Sequence, residues 1–159
     1  AYKEAKIPRF YFDLGRARNY LERGQTPWTP AVSVFYALDV ALEKMMEEGM
    51  ETVYLRHANI AEKTRTGVKS LGLTLLADER WASNTVTAFK IPDGVDPAAL
   101  QRQLQSDHEV VLAAGQGSLA GKILRIGHLG YIRDEDIDGV LDALSSVLPK
   151  VGFQTAKGA

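Results

Sequence analysis

Arg125 stands inside the run Gly121-Lys122-Ile123-Leu124-Arg125-Ile126-Gly127-His128-Leu129-Gly130, where its neighbours are apolar or glycine. Strand alternation puts Ile123, Arg125 and Gly127 on one face and Leu124 and Ile126 on the other. A guanidinium carried on a strand face suits an anion, and its planar fork grips a small carboxylate through two parallel N–H···O bonds, which a lysine cannot do. The plain alternative is a salt bridge to a neighbouring Asp or Glu, and spacing alone leaves both readings open. Gly115-Gln116-Gly117 superficially suggests a phosphate cradle, but it lacks the lysine–serine ending and the full dinucleotide fingerprint, so it reads as turn chemistry.

Other chemistries are poorly supplied. The chain has 159 residues, no cysteine and a formal net charge of -1. Disulfides, thiolate metal sites and a cysteine nucleophile are excluded, and no basic run interleaved with aromatics marks a nucleic-acid partner. The three histidines, His57, His108 and His128, lie far apart without ligand spacing, so no metal site is expected and His128 reads as packing. No apolar stretch approaches the roughly 20 residues that span a bilayer. With no signal-peptide character at its start, the expectation is a soluble cytoplasmic protein without a membrane partner.

The positioning elements follow from periodicity. Pro8 to Gly24 reads as connecting chain with an aromatic run at Phe10-Tyr11-Phe12. Thr29 then reads as an N-cap and Pro30 as the first position of a helix from Ala31 to Glu48, stopped by Gly49. Val34, Phe35, Leu38, Ala41, Leu42, Met45 and Met46 recur at helical spacing, while Val32, Tyr36 and Val40 extend the apolar character round the helix, as packing against two bodies requires. A second helix is expected from Glu51 to Ser70, with Val53, Tyr54, Ala58, Ala61, Val68 and Leu71 inward. Strands are expected at 73–76, 84–91, 109–113 and through Arg125, a helix from Asp96-Pro97 to Gln105, and a closing helix from Asp134 to Leu148. This order argues for an α+β fold, a short, mostly antiparallel sheet with helices packed on one face.

A set of short motifs, in order, resembles one family. Phe10-Tyr11-Phe12-Asp13-Leu14, Thr26-Pro27-Trp28-Thr29-Pro30, Glu48-Gly49-Met50-Glu51 with Arg56-His57, Leu71-Gly72-Leu73 and the Gly121 to Gly130 run resemble the C-terminal part of class V aminotransferases. These are fold-type-I pyridoxal-phosphate enzymes that include the alanine–glyoxylate and serine–glyoxylate aminotransferases. The resemblance implies that residues 1–48 end the large domain and supply an interdomain helix, that 49–150 form the small domain, and that 151–159 are a loose tail. It implies that Arg125 binds the substrate carboxylate and that Thr29 reaches the cofactor phosphate of a partner subunit. Thr26 stands where some relatives place a phosphate-binding tyrosine.

The implied activity moves an amino group between alanine or serine and glyoxylate or pyruvate, in a homodimer or together with a separate large-domain chain. The family lysine that forms the Schiff base, the aspartate at the pyridine nitrogen and the aromatic over the ring precede the matched region. None of the lysines here, Lys122 included, has a matching context, so this chain by itself is expected to be inactive and to hold no catalytic residue. The alternative is a non-catalytic binding or assembly module. Some relatives carry the label of a soluble hydrogenase subunit, although a chain without cysteine cannot ligate such a metal centre through thiolates.

Overall fold

The computed structural model describes residues 4–154 and divides the chain into two compact units, one ending at Glu48 and the other starting at Gly49. In the first, the expected connecting chain contains a helix, α1 (Leu14–Leu21). It forms because the Asp13 carboxylate accepts the Arg16 N–H at 3.0 Å, satisfying a first-turn donor, and because Gly24 takes φ +64° in the turn that follows. Its polar surface and its brevity hide it from a search for apolar periodicity. Trp28 lies 4.6 Å from the Phe10 ring and stacks on Tyr11 at 5.7 Å, with the Arg16 guanidinium 4.6 Å above its own ring.

Helix α2 spans Val32–Glu48, and the position of its start corrects the capping assignment. The Ala31 carbonyl accepts the first helical bond, from Phe35 N–H at 3.1 Å, while Val32 N–H turns back onto the Pro30 carbonyl at 2.9 Å. That tight turn displaces the helix start, so Thr29 lies two residues ahead of the capping position. No residue of α2 is buried, and Phe35 and Met46 are 58% and 79% exposed.

The second unit begins with α3 (Met50–Ser70). Gly72, at φ +84°, ends it: Leu73 N–H reaches the Val68 carbonyl at 3.3 Å and Gly72 N–H the Lys69 carbonyl at 2.9 Å, the paired bonds of a Schellman stop. Val53, Ala61, Val68 and Leu71 are buried as expected, but Tyr54 is 61% exposed and the buried row is completed by Ile60 and Thr64. Thr64 tolerates burial because its hydroxyl donates to the Ile60 carbonyl at 2.7 Å.

Three antiparallel strands, β1 (Val86–Lys90), β2 (Ala113–Ala114) and β3 (Ile123–Gly127), form a sheet in the order β1-β3-β2. The stretch 73–76 contributes only a bridge between Leu75 and Phe89. Helix α4 (Pro97–His108) is capped by Asp96, whose carboxylate accepts from Ala98 N–H at 3.0 Å, and it runs past Gln105 to a left-handed Glu109 at φ 58°. Residues 109–112 are therefore spent leaving the helix rather than pairing, and the Leu112 carbonyl takes its bond from the Gln101 side chain at 2.7 Å.

Helix α5 (Asp134–Val147) and a 3-10 turn at Pro149–Val151 close the fold. Val151 and Phe153 pack on the core, so the expected loose tail does not begin at 151; residues 155–159 lie outside the described residues. The α+β architecture expected from element order is the one observed. Its core joins Phe89, Leu124 and Ile126 from the sheet to Val68, Leu100, Leu104, Leu144 and Val147 from the helices. Replacing the fully buried Phe89 with alanine should cost about 3–5 kcal/mol, read as a lower denaturant midpoint at an unchanged slope.

Candidate functional site

The site is built on β3, the middle strand. Its core-facing residues Leu124 and Ile126 are buried, and Arg125 projects from the opposite face. Register places Ala88 of β1 and Ala113 of β2 directly beside Arg125. Cross-strand partners share a face, so the root of the Arg125 side chain lies between two methyl groups, with Gly127 two residues along its own strand. The side chain is half-buried in this shallow bed.

Among the described residues no carboxylate pairs with Arg125, which sets aside the salt-bridge alternative. Its one hydrogen bond there runs from Nη2 to the Ala114 carbonyl, at 2.9 Å, while Nε is shielded and has no partner. Nη1 and the second Nη2 hydrogen therefore form the edge available to an incoming anion. Two parallel donors at that edge match the spacing of a carboxylate, and the partly desolvated setting makes such a contact stronger than it would be in water.

The strand end that carries this arginine is held from a distance. Arg56 on α3 donates from Nη1 to the carbonyls of Gly130, at 3.0 Å, and Ile132, at 3.1 Å, and its guanidinium lies 5.9 Å from the Tyr131 ring. Sequence reasoning noted Arg56 only as part of a motif; no local signal shows a contact across 74 residues. The segment 115–121, read as turn chemistry, contains a 3-10 turn, with Leu119 N–H on the Gln116 carbonyl at 3.0 Å and Lys122 N–H on that of Leu119 at 3.1 Å.

Thr29 belongs to the first unit and Arg125 to the second. The Thr29 hydroxyl is exposed and has no hydrogen-bond partner among the described residues, whereas neighbouring Thr26 donates to the Trp28 carbonyl at 2.6 Å. With capping removed as its local reason, Thr29 is left as a free hydroxyl ahead of the α2 N-terminus, where the helix dipole favours an anion. A phosphate group fits that chemistry.

No family model matches the chain. It is 41% identical over 153 residues to a protein named soluble hydrogenase, small subunit, from Synechococcus sp. strain PCC 6716, covering 96% of this chain and 40% of that protein. It is 33% identical over 161 residues to serine–glyoxylate aminotransferase of Arabidopsis thaliana, covering 100% of this chain and 40% of the relative. Among solved structures, ureidoglycine–glyoxylate aminotransferase of Bacillus subtilis superposes with a TM-score of 0.87 at 34% identity, over 96% of this chain and 40% of that one. The chain thus spans about 40% of the length of the curated relatives it matches.

His128 follows Arg125 by three residues but belongs to the core side. It is fully buried, its Nε2 is 2.9 Å from the Thr87 hydroxyl, and its Nδ1 has no partner within hydrogen-bond geometry among the described residues. Burial, which penalises the imidazolium, pushes its pKa below the ordinary 6.5. The unfolded chain therefore binds the proton more readily, so stability should be full above about pH 6.5 and fall as pH drops through that value toward the folded pKa. Denaturant midpoints measured across that range should show the slope, and His128→Gln should flatten it.

Proposed function

The chain matches the C-terminal portion of class V aminotransferases, and from that premise we propose that it is the part of a pyridoxal-phosphate-dependent aminotransferase that holds the substrate carboxylate. The reaction proposed moves an amino group between alanine or serine and glyoxylate or pyruvate. The observation that carries the reading is Arg125: a half-buried guanidinium on the central strand, flanked by alanines, bonded to a backbone carbonyl and free of any acidic partner among the described residues.

The amino acid and the 2-oxo acid both carry a carboxylate beside the reacting carbon. One arginine can therefore orient both substrates in turn, and its contribution is the fixed geometry from which the reaction proceeds. When bound, pyridoxal phosphate supplies the electron sink for loss of the α-proton and stores the amino group between half-reactions. Thr29 would reach, through its hydroxyl, the phosphate of the cofactor held by the partner subunit. No residue of this chain is assigned the proton transfer, and the lysine that carries the cofactor is placed in the preceding large domain.

Residues 1–48 are proposed as the end of that large domain with an interdomain helix, and 49–150 as the small domain. The exposed apolar residues of α2 support this, because a helix apolar on more than one side is stable in water only when other surfaces cover it. A homodimer would supply one such surface; a cytoplasmic setting belongs to the same proposal. No described helix is long and apolar enough to cross a membrane. A second reading, a non-catalytic binding or assembly module, is favoured by the similarity to the protein named as a hydrogenase subunit. A visible absorbance band on adding pyridoxal phosphate, altered by an amino donor, would separate the enzyme from the module.

In the complete enzyme, Arg125→Ala should raise KM for both substrates about 100-fold, the scale of one lost charged double hydrogen bond at ~3 kcal/mol. An unchanged KM would overturn the assignment. Thr29→Ala should weaken cofactor binding, measured by titration of the apoenzyme, and leave thermal stability close to that of the parent.

A further inference from the structure

We infer that Gly115 is a positioning residue for the carboxylate site, acting through the Ala114 carbonyl that aims the Arg125 guanidinium. The inference rests on the reading of Arg125 given above.

Gly115 is not a glycine for conformational reasons: Gly117 and Gly121 have φ of +55° and +71°, and Gly115 is absent from the positive-φ glycines of the chain. Space is what it supplies. A Cβ on Gly115 would fall 2.1 Å from the Leu119 carbonyl oxygen, 2.7 Å from the Leu119 carbonyl carbon and 2.8 Å from Ile123 Cγ1. The two nearest atoms are backbone and cannot rotate aside. The Leu119 backbone is also fixed from both sides, by its N–H bond to Gln116 and by the bond its carbonyl receives from Lys122 N–H. A Cβ at Gly117 or Gly121 would meet nothing within 4 Å.

That close approach matters to Arg125 because of the peptide between Ala114 and Gly115. The group is planar, so its two polar ends move together. Its Gly115 N–H donates to the Ile123 carbonyl of β3 at 3.2 Å. In a trans peptide this directs the Ala114 carbonyl the other way, to the open edge of β2. Arg125 reaches across the small Ala113 side chain to bond that oxygen. With Nε unpartnered, no second hydrogen bond among the described residues fixes the guanidinium. Any side chain at 115 must lift the segment 115–119 off β3, tilt this peptide and turn the free Nη1 edge away from the position where the carboxylate is held.

The test is a double-mutant cycle in the complete enzyme. Gly115→Ala should raise KM for amino acid and 2-oxo acid together, on the order of 10-fold, with kcat little changed. In an Arg125→Ala background it should add nothing to KM, because its effect passes through the arginine. Ser118→Ala, at an exposed position of the same segment, should leave KM at the parent value. Should Gly115→Ala not fold, one glycine inserted between Gly117 and Ser118 loosens the same contact without adding a clash and should give the same rise. A variant that loses stability while keeping the parent KM, or a KM rise that persists in the Arg125→Ala background, overturns the inference and leaves Arg125 standing. An Arg125→Ala enzyme with unaltered KM overturns the parent reading instead.

Discussion

The pairing register of β3 is the constraint on which the second unit depends. With Arg125 opposite Ala88 and Ala113, the same strand presents Leu124 and Ile126 to the core. A slip of one residue would reverse both sets, burying a guanidinium without a partner and exposing two large aliphatic side chains. The hydrophobic core therefore determines where the charge is displayed. Packing and the display of the guanidinium are two consequences of one register, which is why a strand with three buried residues can also carry an arginine free of any ion pair among the described residues.

Several contacts away from β3 keep that register useful. Arg56 ties α3 to the segment after the strand through two carbonyls, and the Schellman stop at Gly72 turns the chain back toward the sheet where Leu75 bridges Phe89. On the far side β2 has only two residues, and just beyond it Gly115 lies close to the Leu119 backbone and Ile123. The small side chains of Ala88 and Ala113 leave room beside Arg125, whereas the missing side chain at Gly115 leaves room for the Leu119 backbone and Ile123.

The first unit follows different physics. Its order comes from local bonds at Asp13 and Thr26 and from the ring cluster around Trp28, and none of its helical residues is buried. Helix α2 therefore leaves its apolar residues exposed within this unit.

The sequence by itself determined the elements governed by neighbours a few residues apart: α2 and α5 from apolar spacing, α3 from spacing and its glycine stop, α4 from Asp96-Pro97, the α+β class from their order, and the strand face of Arg125 from alternation. Local rules misled where a competing bond was close at hand, as when the Pro30 carbonyl took the Val32 N–H and moved the start of α2 past Thr29. They also hid α1, which is only eight residues long and mostly polar, and overextended the strands at 73–76 and 109–113, where helix exits and a glutamine side chain claim the backbone. Tertiary structure alone decided that Arg125 lies between Ala88 and Ala113, that no described carboxylate reaches it, that Arg56 anchors the segment beyond it, and that Gly115 is needed for space. Each of these is a distance between residues remote in sequence, fixed only when the core closes and sets the strand register; periodicity along a chain carries no information about such distances.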